Sequence, residues 1–450
     1  MIYRVFAGVF AALAASTSAA AQAELRAPTD PVIEGEPVSV SVTGLEPGQT
    51  IRFIAERANL YRQGWLHRSE AVFEANDAGI VDPTSQAPLE GDWDQARPFA
   101  FLWAMSVNSA GEPPEGVGPF RVKLSADIDM DGEADLERWL DFKPDGLTEV
   151  DASALSPGAF LLLPDGEGPF PAIIKLGGSE GGDYAARTYG PGFAQRGYAV
   201  LGLPYYSPAW GGTPQFPELP QDFVDIPVEL AAQARDWLAA RDDIHADAIA
   251  VMGDSKGAEM ALAAASYLGG FAAVAATVPS DVIWEGWGLG VEVEGTRSSF
   301  SLNGEPLDFV PYEGMRETLR RQAQGERVDI RRPHDEGRAA NSETVERARI
   351  PVERIDVPVY VLGGLNDKTW ASGEMARNIA ETREEAGLPT VALIFEDAGH
   401  GLGGPPTRPS DPQTAIANAE AFPALLEFLD DALRGGEAGV GTSERERDAR

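Results

Sequence analysis

A serine stands between two glycines at residues 253–257, which read Gly-Asp-Ser-Lys-Gly. An apolar run at 248–252 precedes them and good helix formers at 258–268 follow, so the pattern predicts a strand, a sharp turn and a helix. In such a nucleophile elbow, Ser255 would be a covalent nucleophile and the next backbone N–H would bind an oxyanion. The alternative is a glycine-rich turn whose serine only caps a helix, and the five residues alone do not decide between the two.

A nucleophilic serine needs a histidine base, and in α/β hydrolases the chain order is serine, acid, histidine. His400 lies in the loop just after the predicted strand 391–395, which is where that fold places its base. His67 and His245 precede the elbow and are predicted to be surface or structural residues. His334, which has charged neighbours in the sequence, is predicted to be solvated, with contact to a substrate as the alternative.

The acid is predicted to be Asp367, in a turn directly after the buried run 359–362 and about one strand–helix–strand unit before His400. Asp367 would hold the imidazole of His400 in the tautomer that accepts the serine proton. An N-cap for the helix near 370–380 is the alternative role of this aspartate. Asp397 is a rival acid, but three residues before the histidine it is more suited to shaping the loop.

A glycine-rich loop, Gly-Gly-Ser-Glu-Gly-Gly at 177–182, follows another predicted strand. Backbone N–H groups of Gly178 or Ser179 are predicted to join that of Lys256 in an oxyanion hole, where one donor contributes about 3 kcal/mol to the transition state. The loop lacks the Gly-Lys-Ser/Thr ending of a phosphate-binding loop. Neither metal-ligand spacing nor a nucleotide fingerprint occurs elsewhere, so no metal or cofactor is predicted.

The elements that position these residues follow from the pattern of apolar runs. Residues 150–434 alternate strands and helices, which predicts a mostly parallel sheet covered by helices, an α/β-hydrolase domain. Residues 281–351 interrupt that rhythm and are predicted to be an insertion over the carboxyl edge of the sheet, where such segments often act as lids. Residues 24–145 alternate apolar and polar positions, which predicts an antiparallel β-sandwich with 99–103 as one strand. The polar tail 435–450 is predicted to be disordered.

An acidic segment runs from Asp127 to Asp135 and begins like a calcium loop. Its twelfth position, where an EF-hand needs a bidentate glutamate, is Arg138. The segment is therefore predicted to be a hairpin turn, with weak cation binding as the alternative.

Charge limits the partners of this chain. The 36 Lys and Arg residues against 71 Asp and Glu residues give a formal net charge of −35. Such a surface repels nucleic acids and anionic membranes, so we expect a small-molecule substrate and neither of those partners. The same charge disfavours long acyl-CoA molecules, which are polyanions, unless a local basic patch exists.

The sequence has no cysteine, which excludes disulfides, a cysteine nucleophile and thiolate metal sites.

Residues 1–23 have the pattern of a secretory signal. Arg4 precedes an apolar run over 5–15, and small residues follow with Ala-x-Ala cleavage choices ending at Ala21 or Ala23. A membrane-tethering helix is the alternative, but the run is too short for a stable anchor. The sequence thus predicts export to the periplasm or the medium, without a membrane anchor.

Taken together, these motifs resemble those of the acyl-CoA thioesterase / bile acid-CoA:amino acid N-acyltransferase family, over nearly the whole mature chain. Of the stretches that carry the resemblance, Ser-Lys-Gly-Ala-Glu at 255–259 is the distinctive one. The others are Gly-Leu-Glu-Pro-Gly at 44–48, Gly-Ile-Val-Asp at 79–82, Phe-Leu-Trp-Ala-Met at 101–105, the loop at 177–182, Ile-Pro-Val-Glu at 350–353 and Ala-Gly-His at 398–400.

The resemblance implies acyl transfer from a thioester to water or an amine, with Ser255, Asp367 and His400 in the family's triad positions. The acyltransferases of that family are alike in using a cysteine nucleophile. The resemblance therefore implies that this chain, which has a serine at that position, favours hydrolysis. Coenzyme A thioesters are expected inside cells, so an exported member implies another acyl ester, thioester or amide. The alternatives are a peptidase or lactone hydrolase of the same fold, N-acyl transfer to an amine, and a binding protein in which the β-sandwich is the working part.

Overall fold

The computed structural model describes residues 22–59, 64–110, 113–142, 145–209, 212–288, 291 and 295–435, without the side chains of residues 107–110. The predicted signal sequence, apart from residues 22 and 23, and the predicted disordered tail, apart from residue 435, lie outside the described residues. Both therefore stay predictions. Within the described ranges, no helix combines the length and the apolar character that a membrane span requires.

The amino-terminal part of the chain is an antiparallel β-structure around its own apolar core. Strands β5-β4-β3-β7-β8 form one sheet with β6 paired to β4, and β1 pairs with β2. In β3, Ile51, Phe53 and Ala55 are completely buried and alternate with more exposed residues, as in a strand with one face in a core. The elements are β1 (Glu24–Arg26), β2 (Ser41–Thr43), β3 (Thr50–Ala58), β4 (Trp65–Glu74), β5 (Glu90–Gly91), α1 (Ala100–Trp103), β6 (Ser106–Ala110), β7 (Arg121–Asp127) and β8 (Leu136–Asp141).

The run 99–103 is a helix, so the prediction of a strand there is wrong. Helix α1 begins after Phe99, whose backbone is left-handed with φ 65°. Phe101 and Leu102 are completely buried, and the ring of Phe101 meets that of Phe53 edge-on at 5.7 Å. A short run that is buried on all sides shows neither the alternation of a half-buried strand nor the period of an amphipathic helix. The apolar character of this run alone therefore does not show whether its backbone is a strand or a helix.

The acidic segment after β7 is the hairpin turn that connects this strand to β8, its antiparallel neighbour. Asp127 accepts hydrogen bonds from the amides of Asp131 and Gly132, at 3.2 and 3.0 Å. Asp135 accepts one from the amide of Ile128 at 2.6 Å. The carboxylates thus stabilise the turn itself. The described residues contain no group of three or more side chains that would suit a metal ion.

The rest of the described chain is built on a mostly parallel sheet with helices on both faces, the predicted α/β-hydrolase architecture. The strand order is β9-β10-β12-β11-β14-β15-β18-β19, and neighbours from β12 to β19 are parallel. The elements are β9 (Thr148–Asp151), β10 (Phe160–Leu163), β11 (Phe170–Leu176), α2 (Tyr184–Ala194), β12 (Ala199–Gly202), β13 (Ile226–Pro227), α3 (Glu229–Ala239), β14 (Ile244–Asp254), α4 (Lys256–Leu268), β15 (Ala273–Thr277), β16 (Phe300–Leu302), β17 (Glu305–Pro306), α5 (Met315–Ala323), α6 (Arg331–Ala340), α7 (Ser342–Ala348), a 3-10 turn (Val352–Arg354), β18 (Val359–Gly364), α8 (Ser372–Glu385), β19 (Thr390–Phe395) and α9 (Pro412–Arg434).

Each face of this sheet has its own apolar core. In β14, Ile249 and Val251 pack with residues of α3 and α4, whereas Ala250 and Met252 pack with residues of α2 and α9. Strands covered on both faces need apolar residues at every position, which explains the continuous apolar run before the elbow. Because parallel strands end at the same edge, the loops after β11, β14, β18 and β19 meet there.

Residues 281–351 leave the sheet after β15 and return to it at β18. Strands β16 and β17 form a small sheet with β13, and helices α5, α6 and α7 complete the insertion. Arg338 of α6 donates two hydrogen bonds to Asp281, both of 2.7 Å. Trp284 is buried and stacks on Tyr312 with ring centroids 5.4 Å apart. The insertion is therefore a packed unit.

A buried ionic cluster joins the amino-terminal part to the hydrolase part. Arg57 of β3 pairs with Glu34 and donates to the carbonyl oxygen of Thr407 at 3.0 Å. Glu34 also pairs with Arg408 at 2.7 Å. Arg57 is only 1% and Glu34 only 4% exposed. The chain that follows the loop of His400 is thus held by the amino-terminal sheet.

Candidate active site

Ser255 stands at the turn between β14 and α4 in a strained backbone conformation. Its φ is 55° and its ψ is −120°, and such a conformation costs a residue other than glycine about 1–3 kcal/mol. A Cβ atom at Gly253 would lie 2.0 Å from the carbonyl oxygen of Gly257, and one at Gly257 would lie 2.3 Å from that of Gly177. The turn therefore needs both glycines. The Ser255 side chain makes no capping hydrogen bond to α4, which speaks against the capping alternative.

The structure brings Ser255, His400 and Asp367 together at the carboxyl edge of the sheet. His400 Nε2 lies 3.1 Å from Ser255 Oγ, and His400 Nδ1 lies 2.7 Å from Asp367 Oδ2. Because a charged carboxylate only accepts hydrogen bonds, the neutral imidazole carries its proton on Nδ1. Nε2 is then free to accept the proton of the hydroxyl.

Asp367 is completely buried, and hydrogen bonds hold it in place. The hydroxyl of Ser372 donates to Oδ2 at 2.6 Å, and the amide of Thr369 donates to Oδ1 at 2.8 Å. Burial acts to raise the pKa of Asp367, but the bonds from His400, Ser372 and Thr369 and the nearby imidazole outweigh it and hold this pKa below its usual value. Asp367 is therefore ionised at neutral pH. It does not cap α8, whose N-cap residue is Ala371.

The other candidates from the sequence lie elsewhere. Asp397, the rival acid, is exposed, and its carbonyl oxygen accepts a bond from Asn366 Nδ2 at 3.3 Å. His67 lies in β4 with its Nε2 2.9 Å from Asn59 Nδ2. His245 is exposed near the start of β14. The two histidines are therefore a structural and a surface residue.

The predicted oxyanion hole is only partly formed. Ser179 and Lys256 both line a cavity beside Ser255, and Lys256 is the first residue of α4, where backbone amides have no partner within the helix. The amide of Gly178 donates to the Glu180 carboxylate instead, at 2.9 Å, so the prediction of this donor is wrong. A Cβ atom at Gly178 would lie 3.0 Å from Glu180 Oε2. The glycine thus makes room for the glutamate that follows it.

A buried ion pair in α4 accounts for the lysine and glutamate of the distinctive motif. Lys256 Nζ lies 2.7 Å from Glu259 Oε2 and 2.8 Å from Ser299 Oγ. Glu259 Oε1 accepts a hydrogen bond from the amide of Trp284 at 3.0 Å. Burial lowers the pKa of Lys256 and raises the pKa of Glu259, and the attraction within the pair opposes both shifts. Since Trp284 and Ser299 belong to the insertion, the pair fixes the insertion to the elbow helix.

A cavity of about 250 Å³ opens beside Ser255. The insertion supplies several of its walls, including Tyr312, Met315 and Ile330, and Trp370 adds another.

His334 of the insertion also lines this cavity and is only 5% exposed, so the prediction that it is solvated is wrong. Its charged sequence neighbours misled that prediction. Along α6 the buried positions are Pro333, His334 and Gly337, whereas Arg332 and Asp335 are exposed. Helical periodicity thus separates His334 from its charged neighbours.

Comparisons with known proteins cover most of the chain. Residues 35–140 match the family described as Acyl-CoA thioester hydrolase/BAAT N-terminal region, and residues 226–422 match BAAT / Acyl-CoA thioester hydrolase C terminal. The chain is 28% identical to Acyl-coenzyme A thioesterase 1 of Mus musculus over 386 residues, which cover 81% of this chain and 82% of the mouse protein. It is 25% identical to Acyl-coenzyme A thioesterase 1 of Homo sapiens over 382 residues, with 81% and 82% covered.

One similar solved structure is a puromycin-hydrolyzing peptidase of Mycobacterium tuberculosis, at 14% identity and a TM-score of 0.43. The match covers 89% of this chain and 59% of the peptidase. A likeness this distant does not bear on function.

Proposed function

The chain belongs to the acyl-CoA thioester hydrolase/BAAT family, and on that premise we propose that it cleaves an acyl thioester through an acyl-Ser255 intermediate. The observation that carries the proposal is the hydrogen-bonded row of Ser255, His400 and Asp367 beside a cavity. The relatives named as acyl-coenzyme A thioesterases favour a thioester, with a carboxylic ester as the next choice.

In the acylation step, Ser255 Oγ attacks the carbonyl carbon while His400 Nε2 removes the hydroxyl proton. His400 is then an imidazolium, and the ionised Asp367 stabilises it through the bond to Nδ1. The backbone amides of Lys256 and Ser179, two residues that line the cavity, are the proposed donors to the developing oxyanion. As the carbon–sulfur bond breaks, the thiolate leaves with the proton that His400 carried.

In the deacylation step, water takes the place of the thiol. His400 Nε2 removes a proton from this water, the hydroxide attacks the acyl-Ser255 carbonyl, and the proton returns to Ser255 Oγ as the acid leaves. A serine nucleophile also supports hydrolysis over transfer to an amine. Product analysis with added glycine or taurine tests that choice directly.

The proposal is tested by reacting the purified protein with a fluorophosphonate probe, followed by peptide mass mapping. We expect labelling only at Ser255, and its loss in His400→Ala because the hydroxyl then has no base. His245→Ala is the matched control and should label like the wild type, since His245 is exposed and remote. Thioester turnover by Ser255→Ala should fall far below that of Ser153→Ala, a change at an exposed serine. Equal turnover by these two serine variants would contradict the proposal.

The leaving group is tested with a thioester, an oxyester and an amide of equal acyl length. The proposed function requires that the thioester gives the highest kcat/KM. A faster amide would make the chain a peptidase of the same fold.

A further inference from the structure

His334 presents to the cavity a polar atom that the proposed reaction does not use. Its Nδ1 lies 3.0 Å from the carbonyl oxygen of Ile330. Because a carbonyl oxygen only accepts hydrogen bonds, Nδ1 carries the ring proton and Nε2 is an acceptor. Nε2 makes no hydrogen bond within the described part of the chain and is not fully buried there, and His334 lines the cavity.

Aromatic rings fix the direction of this acceptor. Trp284, Tyr312 and Trp370 each meet the His334 ring edge-on, with centroids 4.9, 4.8 and 5.7 Å away. Trp370 also meets the ring of His400 at 6.0 Å. His334 is therefore a preorganised group, separated from the proposed base by one aromatic ring.

The imidazole of His334 is uncharged at neutral pH. Burial lowers the pKa of His334 to about 3, and the positive charge of Lys256 acts in the same direction, whereas Asp367 and the bond to Ile330 act against it. A neutral ring with its proton held by a carbonyl does not attract an anion through charge. It can only accept a hydrogen bond at Nε2.

We propose that this cavity is a subsite for a substrate that carries a neutral hydrogen-bond donor, a hydroxyl or an amide N–H, and that His334 Nε2 accepts its bond. The inference deepens the proposed function and rests on it. A hydrocarbon group in the same place would displace water from Nε2 and leave a buried acceptor unpaired, a loss of about 5- to 150-fold. His334 is thus a specificity-determining residue.

The donor can come from the acyl part or from the thiol, and two substrate pairs distinguish these sources. The first pair is a 3-hydroxybutyryl and a butyryl ester of the same thiol. The second is a butyryl thioester of N-acetylcysteamine and its N-methyl derivative, which lacks the N–H. In one pair, we expect the kcat/KM of the wild type to be higher for the substrate with the donor by about fivefold or more. That pair identifies the source of the donor.

The variant His334→Phe keeps a ring of similar size and removes the acceptor. We expect the preference in that pair to fall to near one, because kcat/KM falls more for the substrate with a donor than for the substrate without one. If His334 had only a structural role, the variant would lower kcat/KM equally for both substrates of the pair. His245→Phe is the matched control and should keep the wild-type ratio.

Ratios near one in both pairs for the wild type would overturn the inference and leave the proposed function intact. Absence of turnover on every thioester would overturn the proposed function, and the inference with it. If His334→Phe does not fold, the wild-type ratios decide the matter alone.

Discussion

The buried pair of Lys256 and Glu259 gives a sharp test of how this fold is held together. The lysine side chain is 3% and the glutamate side chain 0% exposed, with 2.7 Å between Nζ and Oε2. In Glu259→Gln, the lysine loses its counter-charge and keeps only neutral partners. Removing one partner of a buried pair typically destabilises a protein by about 3–5 kcal/mol. We therefore expect the free energy of unfolding to fall by that amount.

The matched control is Glu317→Gln in α5. Glu317 pairs with Arg320 at the same helical spacing, but the two side chains are 56% and 63% exposed. An exposed pair contributes about 0–1 kcal/mol. Urea unfolding followed by circular dichroism should thus separate the two variants by about 2 kcal/mol or more. Equal losses in both variants would refute the claim that burial makes the α4 pair important.

Two further measurements bear on the same pair. Burial lowers the pKa of Lys256, so in Glu259→Gln the unfolded state binds more protons than the folded state between that lowered value and about 10.4. The stability deficit of this variant should therefore shrink as the pH rises towards 10. Replacing both charges, as in Lys256→Met with Glu259→Leu, should recover much of the loss because no unpaired charge remains.

Two predictions concern the reacting centre and its cavity. Asp367→Asn should lower kcat on a thioester by about 10⁴-fold, because an amide can turn the imidazole of His400 into the wrong tautomer, whereas Asp397→Asn, at an exposed site, should stay near the wild type in the same assay. Since the pKa of His334 is about 3 when folded and about 6.5 when unfolded, its contribution to stability should fall by about 3 kcal/mol between pH 7 and pH 4. His334→Phe should lack this slope in urea unfolding, and a constant difference from the wild type would contradict the reasoning.

The sequence sufficed for the elements and residues whose signals are local. Continuous apolar runs predicted the central strands, because strands covered on both faces need apolar residues throughout. Ser255, Asp367 and His400 each lie in a turn or loop just after such a run and in the chain order of an α/β hydrolase, and the structure brings the three side chains together. Their catalytic roles stay a prediction until the variants are measured.

What the sequence did not reveal depends on contacts between distant segments. His334 is buried because Trp284, Tyr312 and Trp370 surround it, and nothing near it in the chain indicates this. The partners of Glu259 likewise include an amide of the insertion. For Gly178, the sequence did contain a signal that was missed. Glu180 lies two residues later, and a glutamate at that spacing can accept a hydrogen bond from the Gly178 amide.

The ionic cluster of Arg57, Glu34 and Arg408 spans the boundary between the two parts of the chain. Exchanging either part for that of another protein would therefore break the cluster. A hydrolase part grafted onto another amino-terminal module would keep Arg408 but lose Glu34 beside it. The carbonyl of Thr407 would lose its donor as well, only a few residues beyond His400. The hydrolase part therefore depends on its own amino-terminal part, because Arg57 and Glu34 supply partners for the segment that follows the loop of the proposed base.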